Sequence, residues 1–321
     1  MGAYGLQTHI WNNNLKSVLL LAGFPLLLLL LLFAVSALYV GLTQYVDSLA
    51  DGLSLAAAQT ARIWPFAFLG AGLWFVFAFL SHQAIINASV GAKGLARREA
   101  PDLYNDLENL CISRGITPPA LNIIETPALN AFASGVSEKS YRITLTRGLI
   151  EALDREEARA VLAHELTHIR NRDVRLLIIA VVFVGIFSFV GELIYRGLFR
   201  TGVKIGGHTR SRNGDSRGGG ALIIVALIAI ALAYLLALAI RFSLSRKREY
   251  LADAGAVELT KNPDAMIRAL EKISGRAAFD APNDVRQMMV ENKARFAGVF
   301  ATHPPIKKRI EALKVYAGGT A

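Results

Sequence analysis

Four long apolar runs punctuate this chain of 321 residues, and between them the pattern shifts to amphipathic periods. The runs cover Val18–Val40, Trp64–Ile86, Leu176–Tyr195 and Ala221–Leu244. Each reaches the roughly 20 residues with which a helix crosses the hydrocarbon core of a bilayer. Val35-Ser36-Ala37 resembles a signal-peptidase site, but the run is longer than a typical signal core and only Lys16 precedes it. The runs therefore predict two membrane hairpins, with four parts to the chain. These are an N-terminal hairpin at 1–86, a first polar half at 87–175, a second hairpin at 176–244 with a Gly/Arg-rich loop at 200–220, and a second polar half at 245–321.

Between the hairpins, Pro101–Arg114 has helical spacing and meets Gly115. Leu121–Glu125 and Tyr141–Thr146 have strand character, and Leu149–Leu153 and Asp154–Asn171 read as helices. Asp154 and Glu157 form a capping pair for the last of these. In the second half, Asn262 and Pro263 open a helix with Met266, Ile267, Leu270 and Ile273 on one face. Thr302 to Pro305 opens another, with Ile306, Ile310 and Leu313 inward. The fold class expected is α+β, a helix-rich domain with a small sheet beside four transmembrane helices.

Composition agrees: 53% of residues are hydrophobic and 19% charged, too apolar for an ordinary soluble protein of this length. The net charge of +10 is dispersed and concentrates near the membrane boundaries, at Arg97, Arg98, Arg170, Arg172 and Arg246 to Arg248. That pattern suits an anionic membrane surface better than nucleic acid. Cys111, the single cysteine, falls in an apolar helical stripe with Leu107 and Leu110 and reads as packing.

The chemistry is concentrated in His164-Glu165-Leu166-Thr167-His168. Histidines four apart share a helix face and can bind one zinc ion, with the glutamate beside them as proton acceptor. Ala158, Val161, Leu162, Leu166 and Ile169 form the apolar stripe, and the histidines lie toward its edge. Tetrahedral zinc needs a further protein ligand, for which Glu249 is the candidate, with Asp253 one turn on as support for a ligand histidine. On spacing alone, a solvated acidic face balancing Arg246, Lys247 and Arg248 explains Glu249 and Asp253 equally well. An even number of crossings between His168 and Glu249 would return both to one side of the membrane.

These segments resemble the HtpX/Ste24 group of membrane zinc metalloproteases, peptidase family M48, and within it the HtpX-like branch. The residues that carry the likeness are Asn130 to Ala133, His164 to His168 with Asn171 to Asp173, Ser245 to Asp253, and Thr302 to Pro304 leading into Arg309 and Ile310. The resemblance implies a gluzincin-type metalloprotease domain with one Zn2+ on His164, His168 and Glu249, and Glu165 as catalytic base. It implies cleavage of misfolded or damaged membrane proteins, under stress, at the cytoplasmic face of a bacterial inner membrane. Protein substrates and the lipid bilayer are then the partners.

Four further expectations concern the cleft. His303 is a candidate donor to the oxyanion, or else a helix-start residue between Thr302 and Pro304. Tyr141–Thr146 is expected as an edge strand that binds substrate by strand addition, through Tyr141 and Thr144. Asn130 and Ala131 are expected in the cleft wall. The sparse stretch Gly41–Ile63 is expected as an outside loop, against which the basic loop Arg200–Arg217 stands in conflict. Rival readings are a Ste24-like processing enzyme for lipidated substrates and an inactive scaffold or chaperone that keeps the fold.

Overall fold

The computed structural model describes residues 6–196, 217–242, 247–279, 288–290 and 304–317. The chain divides into two compact units, one of Met1–Lys16, Leu80–Ile179 and Phe242–Ala321, the other of Ser17–Phe79 and Ala180–Arg241.

In the second of these, long helices pack through apolar and small residues. Helix α1 covers Leu6–Thr43, α2 Leu49–Val90, α6 Asp173–Tyr195 and α7 Arg217–Phe242. All four contain candidate membrane spans: Ala22–Thr43, Leu49–Val90, Asp173–Leu193 and Gly218–Leu236. Ala37, Leu38, Val46, Ala56, Leu222 and Ala226 form one cluster; Leu31, Phe187 and Ala233 form another. A Cβ on Gly52 would come within 2.7 Å of Leu222 Cδ2, so the glycine is what lets α2 lie close to α7 there.

The stretch expected as a loop at Gly41–Ile63 is mostly helix. Only residues 44–48 turn, and α2 runs unbroken for 42 residues from Leu49. Val46, Leu49, Leu53 and Ala56 explain the difference, since they recur at helical spacing and all join the cluster around Leu222. Ser48 begins the helix by accepting from the Asp51 N–H at 3.1 Å. Interspersed Asp47, Asp51 and Arg62 had masked that apolar stripe.

The other unit carries a four-stranded sheet and the remaining helices. Strands are β1 (Lys93–Gly94), β2 (Ala120–Ile124), β3 (Ala131–Ser134) and β4 (Arg142–Thr146), in the order β1-β2-β4-β3. β2 and β4 are parallel, Ala120 opposite Arg142 through Ile124 opposite Thr146, and β3 is antiparallel to β4. The expectation that Tyr141–Thr146 is an edge strand is therefore wrong. Both edges of β4 are taken by neighbours, and Thr144 is buried between Asn122 and Phe132. The edges are β1 and β3; the small residues of β3 (Ala131, Ala133, Ser134) give it a weak strand propensity that hid it, and an isolated bridge joins its Phe132 to Met289.

Helices α3 (Pro101–Ile112), α4 (Arg147–Ala152) and α5 (Arg155–Arg170) follow the expected boundaries to within a few residues. Helices α8 (Lys247–Thr260), α9 (Pro263–Ile273) and α10 (Ile306–Ala317) complete the unit. Asn262 caps α9 by accepting from the Ala265 N–H at 3.0 Å. Cys111 is buried with Leu107 and Leu110, and burial pushes its thiol up to about 11, which suits an inert packing residue.

Candidate metal centre and active site

Helix α5 starts from a complete capping box: Glu157 N–H donates to Asp154 Oδ1 and Asp154 N–H to Glu157 Oε2, both at 2.9 Å. From that fixed start the sequence sets His164, Glu165 and His168 in a helix buried along nearly its whole length. The helix ends at Asn171, and Arg172 takes a left-handed conformation (φ 60°) before α6 begins at Asp173. This reversal turns Asp173 back so that its Oδ2 lies 3.0 Å from His168 Nδ1.

Glu249 comes from α8, which packs closely on α5. The approach depends on Gly255, where a Cβ would stand 2.5 Å from Thr167 Cγ2 and 2.8 Å from its Oγ1. Thr167 cannot easily move aside, because its hydroxyl donates to the Ala163 carbonyl at 2.7 Å. Ala160, Ala163, Ala252 and Ala256, all fully buried, keep the rest of these helices slim.

The result is one buried donor set. Nε2 atoms of His164 and His168 are 3.2 Å apart, and Glu249 Oε2 and Oε1 lie 3.8 and 3.7 Å from them respectively. One ligand atom from each of the three residues lies within 4.8 Å of the others. Asp253 Oδ1 is 3.0 Å from His164 Nδ1, as Asp173 is from the other ring. A carboxylate beside each Nδ1 favours the tautomer with its proton there, which would leave the two Nε2 lone pairs free to bind one metal ion. A tetrahedral zinc with bonds of about 2.0–2.1 Å asks for ligand nitrogens about 3.3 Å apart, close to what the rings provide.

Charge makes the same demand. The carboxylates of Glu165, Asp173, Glu249 and Asp253 and the guanidiniums of Arg248 and Arg309 are all buried here. Four buried acidic groups against two buried guanidiniums make a surplus of acid that a cation among them would offset. The residues therefore fit a metal ion well.

Ionisation follows the same neighbours. Burial pushes His164 down to about 4, against the raising effect of Asp253, so its ring is neutral at neutral pH. Burial alone would lower His168 as well, but Glu249 and Asp173 outweigh it and hold that ring above its ordinary value. Burial raises Glu165 to about 7; its Oε2 is buried without a hydrogen bond, while the Ala133 backbone bonds the carboxylate. For Asp253, burial acts upward, yet Arg309 and His164 together hold the acid down at about 2.

Sequence reasoning gave three participants no role in the site, although all three fall in segments that carry the family likeness. Arg309, wholly buried on α10, donates to both Asp253 oxygens from Nε and Nη2 at 2.8 and 2.6 Å, and from Nη1 to the Val290 carbonyl at 2.9 Å. It lies 145 residues from His164 in sequence, and no spacing rule spans that interval. Asp173 offered a signal, an acid just beyond the helix end after two turn-prone positions. Arg248 stands in a basic run with Arg246 and Lys247, yet it is buried and lines the cleft with Glu165, His168 and Glu249.

Among the expected substrate contacts, Asn130 is a brace: its Oδ1 accepts from the Val290 N–H and its Nδ2 donates to the Ala277 carbonyl, each at 3.0 Å. The Ala131 carbonyl also accepts from Val290 N–H at 3.0 Å. Ala133, two residues on, is the β3 residue that lines the cleft. Tyr141 stands just before the interior strand β4 and Thr144 within it, away from the β3 edge. His303 lies outside the described residues, as do the Gly/Arg-rich loop at 197–216 and most of 280–303.

A buried two-histidine, one-carboxylate donor set on a chain with four candidate membrane spans fits an integral membrane metalloprotease. The chain belongs to peptidase family M48, whose model matches residues 97–317. It is 42% identical over 323 residues to a protease HtpX homolog of Bacteroides fragilis (strain YCH46), covering 97% of this chain and 99% of that one. A protease HtpX homolog of Listeria monocytogenes serotype 4a (strain HCC23) is 36% identical over 318 residues, covering 96% and 99%. Among solved structures, the crystal structure of S. mikatae Ste24p superposes with a TM-score of 0.44 at 23% identity. That match covers 81% of this chain and 64% of that one, a likeness too slight to build on.

Proposed function

We propose that this protein is a zinc-dependent endopeptidase of the bacterial inner membrane that degrades misfolded or damaged membrane proteins from the cytoplasmic side. The observation that carries the chemistry is the pair of Nε2 atoms 3.2 Å apart, with Glu249 completing the set and Glu165 in the same cleft. His164, His168 and Glu249 would hold one zinc ion, with Asp253 and Asp173 fixing the two rings. When bound, the metal would supply Lewis acidity and lower the pKa of water at the site. Glu165 would take a proton from water in the cleft and give it to the departing amine, a role suited to a carboxyl that lines the cleft beside the donor set. Substrate lies extended along the end of β3 at Ala133, with Asn130 and Ala131 forming the wall behind. His303 is proposed as a donor to the developing oxyanion.

Placement in the cytoplasm is supported by the basic residues at the membrane boundaries, Arg97, Arg98, Arg170 and Arg172 among them. Quality control is supported by a cleft beside the start of α6, where Asp173, Val174 and Leu177 line it. The test is zinc content and casein or self-cleavage by wild type and Glu165→Gln, purified side by side in detergent with zinc restored. Zinc in both and hydrolysis only by wild type is the expected result. Equal hydrolysis by both would remove Glu165 from the mechanism, and zinc without hydrolysis in either would favour a scaffold. A reporter fused at the C-terminus that registers the periplasm would overturn the cytoplasmic placement.

A further inference from the structure

Two buried guanidiniums flank Glu249, and they differ in what they hold. Arg309 has every nitrogen engaged, on Asp253 and the Val290 carbonyl. Arg248 has a side chain only 8% exposed, yet its polar contact among the described residues is Glu249 Oε1 at 3.4 Å from Nε, and that Nε makes no hydrogen bond. A buried guanidinium offers five N–H donors in a planar fork that matches a carboxylate. Leaving the buried Nε–H unmade is costly, and a metal drawing on the Glu249 oxygens would weaken the contact that Arg248 has among the described residues.

The surroundings decide what could satisfy it. Among the described residues, Arg248 is the only Arg or Lys lining a cleft that also presents Glu165, Asp173 and Glu249, with Val174, Leu177 and Met288 as apolar wall. An anion entering is repelled by those acids everywhere except against the guanidinium and the metal. Arg248 and Glu165 line the same cleft, so an anion held at Arg248 would belong to a part of the substrate near a bond placed beside Glu165.

We propose that Arg248 is a specificity-determining residue that takes a carboxylate of the substrate, from an acidic side chain near the scissile bond or from the free carboxyl terminus of a protein. The proposal rests on the cleft being the peptide site described above. It makes the enzyme selective for one feature of an otherwise apolar, extended segment, the fork gripping two oxygens while the β3 edge would read only backbone. A bland role, in which Arg248 merely balances Glu249, predicts no such selectivity.

The experiment uses the full-length protein in detergent, zinc-loaded and carrying Glu165→Gln, so that binding is read without turnover. Four fluorescein-labelled versions of one apolar peptide are titrated by anisotropy: free C-terminus, C-terminal amide, amide with an internal Asp, and amide with Asn in its place. We expect the free acid or the Asp peptide to bind about ten- to a hundredfold more tightly than its neutral counterpart, the range of a charge-assisted pair, and which one does so names the source. Adding Arg248→Gln should bring the preference to near unity, and Arg248→Lys should keep part of it, with zinc content equal in all. Equal binding of all four peptides overturns the proposal from the parent protein alone, even if the variants do not fold. So does a preference that survives Arg248→Gln. Selective binding coupled with no cleavage by the wild-type protein, which keeps Glu165, would instead discard the protease reading and leave the carboxylate site standing.

Discussion

Helices α5 and α2 obey opposite rules of burial. In α5 the most enclosed side chains include charged and polar ones: His164 and Glu165 are each 1% exposed. In α2, Phe66 is 75% exposed and Trp64 46%. In water both arrangements would be costly, one for desolvating charge and the other for wetting aromatic rings. Each is resolved by what surrounds it. The polar interior of α5 is closed by ion pairs and a donor set that calls for a divalent cation, and the apolar exterior of α2 by the acyl chains of a bilayer. The comparison teaches that polarity alone does not locate the inside of this protein; the partner of each group does.

The hardest way to break the α5 side is to remove a donor. Glu249→Ala should cut zinc affinity by more than the ~10–100-fold that loss of a supporting contact typically costs, measured by competition with a chelator in detergent. Retention of wild-type affinity would mean another residue is the third donor. Arg309→Met is next. It leaves Asp253 buried without its cation, for an expected loss of about 3–5 kcal/mol in unfolding free energy and about 10–100-fold in zinc affinity. Asp253→Asn combined with Arg309→Met should recover much of the stability, since the unpaired charge is then gone, but not the zinc affinity. Full recovery of both would show that the pair does not orient His164.

How far the sequence reached depended on whether a signal was local. The capping pair at Asp154 and Glu157, the histidine face of α5 and the start of α9 at Asn262 are each decided within one or two turns of chain. They could be read directly. The place of β4 inside the sheet could not, because strand order depends on β3, four residues of which all but Phe132 are small. Likewise Arg309 and Val290 reach the site only by folding back over more than a hundred residues from α5, and no local spacing ties either to Asp253; the family likeness marked Arg309 without giving it a partner. The start of α2 failed for a different reason: charges on its exposed face interrupted the apolar run while the helical stripe beneath continued.

A smaller effect tests how tightly α5 and α8 are joined. Gly255→Ala would gain up to about 1 kcal/mol of helix propensity, but the new methyl meets Thr167 at 2.5 Å, so a net loss of about 1–2 kcal/mol is expected. Thermal unfolding in detergent measures it, and zinc affinity should fall with it as Glu249 is pushed away from the histidines. Adding Thr167→Ala removes the obstructing atoms and should restore the helix contact. If the double variant is as weak as the single one, close approach at Gly255 is not what sets the distance between donors.

The smallest effect belongs to α2, and its smallness is the point. Leu162→Ala in α5 deletes a side chain that is 0% exposed and leaves a cavity, an expected cost of about 2–5 kcal/mol. Phe66→Ala removes a larger side chain, yet one that is 75% exposed. If that face meets lipid, the ring lies among acyl chains in the folded state and stays there when the helices separate, so no water is excluded by folding and little contact is lost. The change in stability should stay within about 0.5 kcal/mol, read by unfolding titration of both variants in the same bilayer mimetic. A loss from Phe66→Ala comparable to that from Leu162→Ala would mean that this face of α2 is covered by protein, and the contrast between the two helices would then narrow to a difference of partner rather than of solvent.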